Sequence, residues 1–143
     1  MLERLIASID AEAKKQEIRD ERYTREQRIL DEQAPRAWKN LYSALKATSG
    51  KYPQHFTAGV RPESEVVIYG KNGRSLEVVY LSESKTVAYQ CNGIQGELLI
   101  RLDEQNRAVI CDVSGVSFPS IEAVAEELLA LLLKKASTSS AKF

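Results

Sequence analysis

Apolar residues fall along this chain in three rhythms, and each predicts a different element. Over residues 1–33 they are sparse: Leu2, Leu5, Ile6 and Ile9 at one end, Leu30 at the other, and mostly Glu, Lys, Arg, Gln and Ala between. With no Gly or Pro before Pro35, that composition predicts a helix. Written in heptads, the seam that starts at Leu2, Ile6 and Ile9 continues through Ala13, Gln16, Asp20, Tyr23, Gln27 and Leu30. Its ends are apolar and its middle is polar, which argues against a long independent coiled coil. Oppositely charged pairs four apart, such as Asp10 with Lys14 and Glu21 with Arg25, each add only a few tenths of a kcal/mol. Such a helix is roughly 50 Å long at 1.5 Å per residue. A compact domain of this size is roughly 37 Å across. The helix is therefore expected to project, anchoring Leu2–Ile9 on something apolar.

Asp31 to Pro35 predicts an interruption, because Ala34, before the proline, is pushed away from helical angles. An unbroken helix with a kink at the proline is the alternative. Trp38, Leu41, Tyr42 and Leu45 then follow i, i+3, i+4, i+7 spacing, an amphipathic stripe for a sheet. Gly50 suits a left-handed C-terminal cap.

The second rhythm is alternation. Residues 65–69, 75–81, 86–91, 96–102 and 107–113 read as strands, and residues 55–60 as a candidate edge strand. The connections are about four residues long, too short for the crossovers that parallel strands need, so the sheet is an antiparallel meander of four to six strands. Asn72-Gly73 is the strongest hairpin signal. Leu76, Val78 and Tyr80 share a face, as do Leu98, Ile100 and Leu102; Val109, Cys111 and Val113 are assigned to the same apolar side. Cys91 and Cys111 fall on strands with another between them, about 10 Å apart, beyond disulfide reach.

The third rhythm is a continuous run. Residues 128–133 are apolar without a break, so the helix over 120–135 is apolar all round and needs cover on more than one side. One side is expected on the sheet and the other under a second cover, left open between a partner subunit and the chain's own core. Ser117 or Ser120 can cap its start. Residues 137–143 read as a flexible tail, residues 34–136 as an α+β domain, and residues 1–33 as a projecting charged helix.

Composition narrows function more than it names it. Lys plus Arg and Asp plus Glu number 20 each, so no overall basic field exists to collect nucleic acid. No run is long enough for a membrane span, and the apolar start turns charged too soon for a secretory signal; the expectation is a soluble, cytoplasmic protein.

Chemistry is sparse. His55 is the only histidine, too little for a typical zinc site. Gly70–Arg74 lies between strands rather than between a strand and a helix, so it is not a phosphate loop. Ser114, Gly115 and Ser117 could present N–H groups to an anion. Paired acids such as Asp103-Glu104 and Glu126-Glu127 sit on expected exposed segments, whereas functional acid–base pairs need burial. No catalytic residue, cofactor or metal is assigned.

The expected fold is α+β: a long N-terminal helix, an antiparallel meander, and a C-terminal helix packed on one sheet face. The leading functional expectation is a non-enzymatic protein-interaction module of adaptor, chaperone or inhibitor-like type, self-associating as a homodimer. Leu2, Leu5, Ile6, Ile9, Leu128, Leu129, Leu131, Leu132 and Leu133 would carry it. A second reading is a ligand pocket or enzyme using His55, Tyr69, Tyr80 and Glu97 in a cup between sheet and helices. A third is nucleic-acid binding along Arg19, Arg22, Arg25 and Arg28, which recur every third residue.

Overall fold

The computed structural model describes residues 1–133. One helix, α1, runs unbroken from Leu2 to Lys51. Six strands follow: β1 Thr57–Ala58, β2 Glu65–Tyr69, β3 Ser75–Leu81, β4 Thr86–Cys91, β5 Ile94–Leu102 and β6 Ala108–Cys111. A second helix, α2, spans Ile121–Leu133. The sheet order is sequential and each neighbouring pair is antiparallel, the expected meander. The expected tail lies outside the described residues.

The expected break at Pro35 does not occur. Proline in a helix interior removes a hydrogen bond and costs about 3 kcal/mol, yet tertiary contacts grip the helix on both sides of it. Before it, Asp31 pairs with Lys85 at 3.0 Å. Gln33 donates from Nε2 to the Asn106 carbonyl at 2.9 Å and accepts the Ala108 N–H at 2.8 Å. After it, Ala37, Trp38, Leu41 and Leu45 are buried. Burying each large apolar side chain is worth about 1.5–3 kcal/mol, so the packed stripe outweighs the proline. Gly50 is helical rather than a left-handed cap; the helix closes at Tyr52, whose N–H donates to the Ser49 carbonyl.

The core has one side of sheet and one side of helix. Cross-strand register puts Val66 and Ile68 beside Val78 and Leu76, then Tyr89 and Cys91, then Gly96 and Ile94. Of these, Val66, Ile68, Leu76, Val78 and Cys91 are buried in the core shared with α1 and α2, Tyr89 is partly buried against it, and Ile94 is exposed. α1 touches β1 and β2 at one edge and β5 and β6 at the other, while α2 touches β3. The sheet therefore bends around the helix pair. Trp38 stacks on Tyr80 with ring centroids 5.7 Å apart and 11° between planes. Its indole N–H donates to the Glu63 carbonyl at 2.8 Å.

The last helix finds its second cover in its own chain. Val124, Ala125, Leu128, Leu129 and Leu132 are buried between the sheet and the second half of α1. Ser120, not Ser117, is the cap, its hydroxyl accepting the Ala123 N–H at 3.1 Å.

The expected turn over residues 71–74 does join the β2–β3 hairpin, with Tyr69 paired to Ser75; one local detail and one face differ from expectation. The tight two-residue hairpin is Asn92-Gly93, with both residues at positive φ (51° and 83°) and Cys91 paired with Ile94. Asn72-Gly73 instead sits in a short 3-10 turn, Lys71–Gly73. In β6 the faces are exchanged: Ile110 and Ala108 oppose Ile100 and Leu102 on the core side, while Val109 and Cys111 oppose Arg101 and Leu99 on the other. Val113 lies beyond the strand and is exposed. Alternation in a short apolar strand does not reveal which phase faces inward; pairing decides it.

Candidate functional site

The most conspicuous feature is the first half of α1. Residues 1–26 are all exposed. From Leu2 to Glu26 the helix is roughly 37 Å long at 1.5 Å per residue, and it begins to touch the body only near Gln27, Ile29 and Leu30. Near its tip, Leu2, Leu5, Ile6 and Ile9 are 73%, 56%, 55% and 66% exposed. Their spacing places them on one face over two turns. Further down, Ile18 and Tyr23 are also exposed.

The C-terminal leucines named with the tip have a different fate. Leu128, Leu129 and Leu132 are core residues, Leu131 is half-buried, and Leu133 is exposed. An interface in a partner cannot use side chains already enclosed by α1 and the sheet, so only Leu133 and part of Leu131 remain on the surface of that group.

The ligand-pocket residues are not brought together. Tyr80 lies inside, against Trp38, with its hydroxyl buried and unpartnered; burial raises its pKa. Glu97 points from the opposite sheet face, since its neighbour Leu98 is the residue aligned with Val87 and Tyr80. Tyr69 ends β2, exposed, across from Thr57. His55 sits in the turn after α1, its N–H donating to the Tyr52 carbonyl. With Tyr80 and Glu97 on opposite faces of the sheet, the expected cup between sheet and helices does not gather them.

The arginines Arg19, Arg22, Arg25 and Arg28 are all exposed. At 100° per residue each step of three falls about 60° short of a full turn. The four therefore wind around half of the helix rather than forming one cationic face.

Other polar groups are committed locally. The Asp112 carboxylate accepts the Ser114 and Val116 N–H groups at 2.9 and 3.1 Å. The Ser114 hydroxyl first, and then these backbone bonds, hold its pKa below the ordinary value. The N–H groups offered for an anion near Ser114 are thus taken by the chain's own carboxylate. Asp103 does the same for Gln105 and Arg107, with the same lowered pKa. Cys91 and Cys111 are free and buried, and burial raises both thiols, keeping them in the unreactive form. Among the described residues, no group of three His, Cys, Asp or Glu side chains could hold a metal ion, and no helix is long and apolar enough to cross a membrane.

A second surface feature had no signal in the residue pattern. The ladder of β6 on β5 ends at Leu99 opposite Cys111, so Ile94–Leu98 has no strand on its outer side. Between this stretch and α2 lies a cleft of about 660 Å³. Tyr89 lies across Gly96 at its floor: a Cβ there would stand 2.3 Å from the phenol ring. Comparison with protein-family models, with curated proteins and with solved structures finds no match to this chain.

Proposed function

We propose that this protein is a non-enzymatic protein-interaction module that self-associates through the tip of its N-terminal helix. The carrying observation is that α1 extends far beyond its own domain while exposing Leu2, Leu5, Ile6 and Ile9 on one face. A projecting helix gains nothing from its own core, so its stability and its apolar face call for another surface. Full burial of each of these side chains is worth about 1.5–3 kcal/mol. Two copies contribute such a set each, enough to offset an association cost of about 4–15 kcal/mol. The tip is a good partner for itself because it carries few charges: Glu3 and Arg4 lie one turn or less from the apolar set, and the dense charge begins at Asp10. The free, buried thiols suit a reducing, cytoplasmic setting.

The test is the solution mass of the full chain by light scattering, with and without Leu5→Glu and Ile9→Glu together. A dimer that becomes a folded monomer supports the reading. A wild-type monomer, or a dimer indifferent to both charges, overturns it. Binding of duplex DNA or RNA with steep salt dependence would instead favour the arginines of α1.

A further inference from the structure

We infer that the cleft between β5 and α2 is a docking groove for an extended, basic peptide segment of another protein, added as a strand to the open edge of the sheet. This site is separate from the helix tip and does not rest on self-association.

The edge is defined by hydrogen bonding. The Ile100 N–H donates to the Lys85 carbonyl on the β4 side, at 3.0 Å. Backbone groups of successive residues in a strand point to opposite sides, so Gln95 and Glu97 direct their N–H and C=O groups away from β4. Nothing in β6 reaches them, because pairing stops at Leu99. The cause lies one residue past the strand. The Asp112 carboxylate gathers the Ser114 and Val116 N–H groups, and Gly115 takes a φ of 92°. The chain turns back there, with Ser117 bridging to Cys111, instead of continuing along β5.

The opposite edge shows what closure looks like in this protein. There β1 covers Ile68 and Tyr69, and the Gly59 N–H donates to the Val67 carbonyl at 2.8 Å. The β5 edge has backbone groups of the same kind and no such cover.

Side chains specify the occupant. The cleft is lined by Leu98 and Leu128, which are already buried, and by half-buried Ala130 and Leu131, and its rim carries Glu97, Asp112 and Glu127. None of the described residues lining the cleft is a Lys or Arg. Strand addition uses main-chain hydrogen bonds for affinity and alternate side chains for specificity. An added strand here would turn alternate apolar side chains toward half-buried Ala130 and Leu131 on the α2 side, and set Lys or Arg on the opposite face beside Glu97. A second copy of this chain pairing β5 to β5 is disfavoured by the same rim, since it would bring Glu97 against its counterpart. Like charges across a pair destabilise it.

The probe is an N-acetylated, C-amidated octapeptide alternating Lys with Val, titrated into the isotope-labelled full chain and followed by backbone amide shifts. The expected result is saturable shifts centred on Gln95, Glu97, Leu128 and Leu131. Glu97→Lys with Glu127→Lys should weaken binding at least tenfold, and so should methylation of alternate peptide amides, which removes the donors a ladder needs. Replacing the peptide lysines by glutamate should abolish binding. The proposal is overturned by no saturable shift up to about 1 mM peptide, by shifts centred elsewhere, or by binding that survives both the double variant and amide methylation. Because Leu5→Glu with Ile9→Glu leaves the groove intact, peptide binding in that variant should be unchanged, which keeps the two proposals separable.

Discussion

The two halves of α1 are one continuous helix with opposite environments. From Leu2 to Glu26 every residue faces water; from Ala34 to Ser49 one stripe is buried under the sheet and α2. Both halves use good helix-forming residues, so propensity does not separate them. The difference is the apolar pattern. The buried stripe from Ala34 through Trp38, Leu41 and Leu45 to Ser49 runs for about four turns and meets a complementary surface, whereas Leu2, Leu5, Ile6 and Ile9 repeat for about two turns at a distance from any. The lesson is that a helix is held by the face it buries, and can carry a polar extension well past its last contact.

The largest expected contrast is between truncations in the two halves. Leu41→Ala should cost about 2–5 kcal/mol in urea unfolding, because Leu41 is fully enclosed. Leu5→Ala in the monomeric protein should stay within about 0.5 kcal/mol. A comparable loss from both would mean that the tip packs on something in the same chain.

Proline supplies the next contrast, with the opposite sign. Pro35→Ala should stabilise by about 1–3 kcal/mol and slow amide exchange around residues 31–36, by restoring a helical hydrogen bond at an exposed position. Destabilisation in the same urea experiment would show that the proline is needed for the approach of α1 to the sheet. Gln33→Ala should cost about 1–3 kcal/mol, since it leaves the Ala108 N–H and the Asn106 carbonyl without their partner. An unchanged midpoint would indicate that the grip on the β5–β6 hairpin is incidental.

The smallest effect sharpens where the projecting half ends. Asp31 has its pKa lowered by its hydrogen bond to Lys85, then by Gln27. A carboxylate with a depressed folded pKa adds stability above its unfolded value and loses it as pH falls through the folded one. Asp103 and Asp112 are shifted in the same direction. The melting temperature should therefore be flat from neutral pH to about pH 5 and fall below the usual aspartate value of 3.8. Asp31→Asn should flatten part of that acid limb. An identical limb in the variant would remove Asp31 from the contacts that join α1 to the sheet.

Much of the architecture was legible from residue order. Glu65–Tyr69, Ser75–Leu81 and Thr86–Cys91 stand where alternation puts them, and short connections impose the meander because parallel strands cannot be joined so briefly. The helix boundary at Pro35 was misread because a local preference was weighed without the contacts of Asp31, Gln33 and Trp38 that override it. The face of β6 was misread because Ala108–Cys111 is apolar on both sides, leaving only the pairing of Ile110 with Ile100 to choose. The exposed tip was legible from a seam that fades after Ile9. The β5 edge was not, because an open edge is the absence of a neighbour, and the turn that removes it depends on one carboxylate at Asp112.

By itself, the sequence determined that this chain forms an antiparallel meander with helices on one face, since periodicities of two and of 3.6 and the lengths of the connections admit little else. It also determined that the helix at 121–133, with its unbroken apolar run over 128–133, must be enclosed. Only the tertiary structure decided what encloses it: the second half of α1 in the same chain, rather than another subunit. Periodicity states which side of an element avoids water, a local property of its side chains. Which surface meets that side depends on contacts between residues far apart in sequence, here Trp38 with Tyr80 and Gln33 with Ala108.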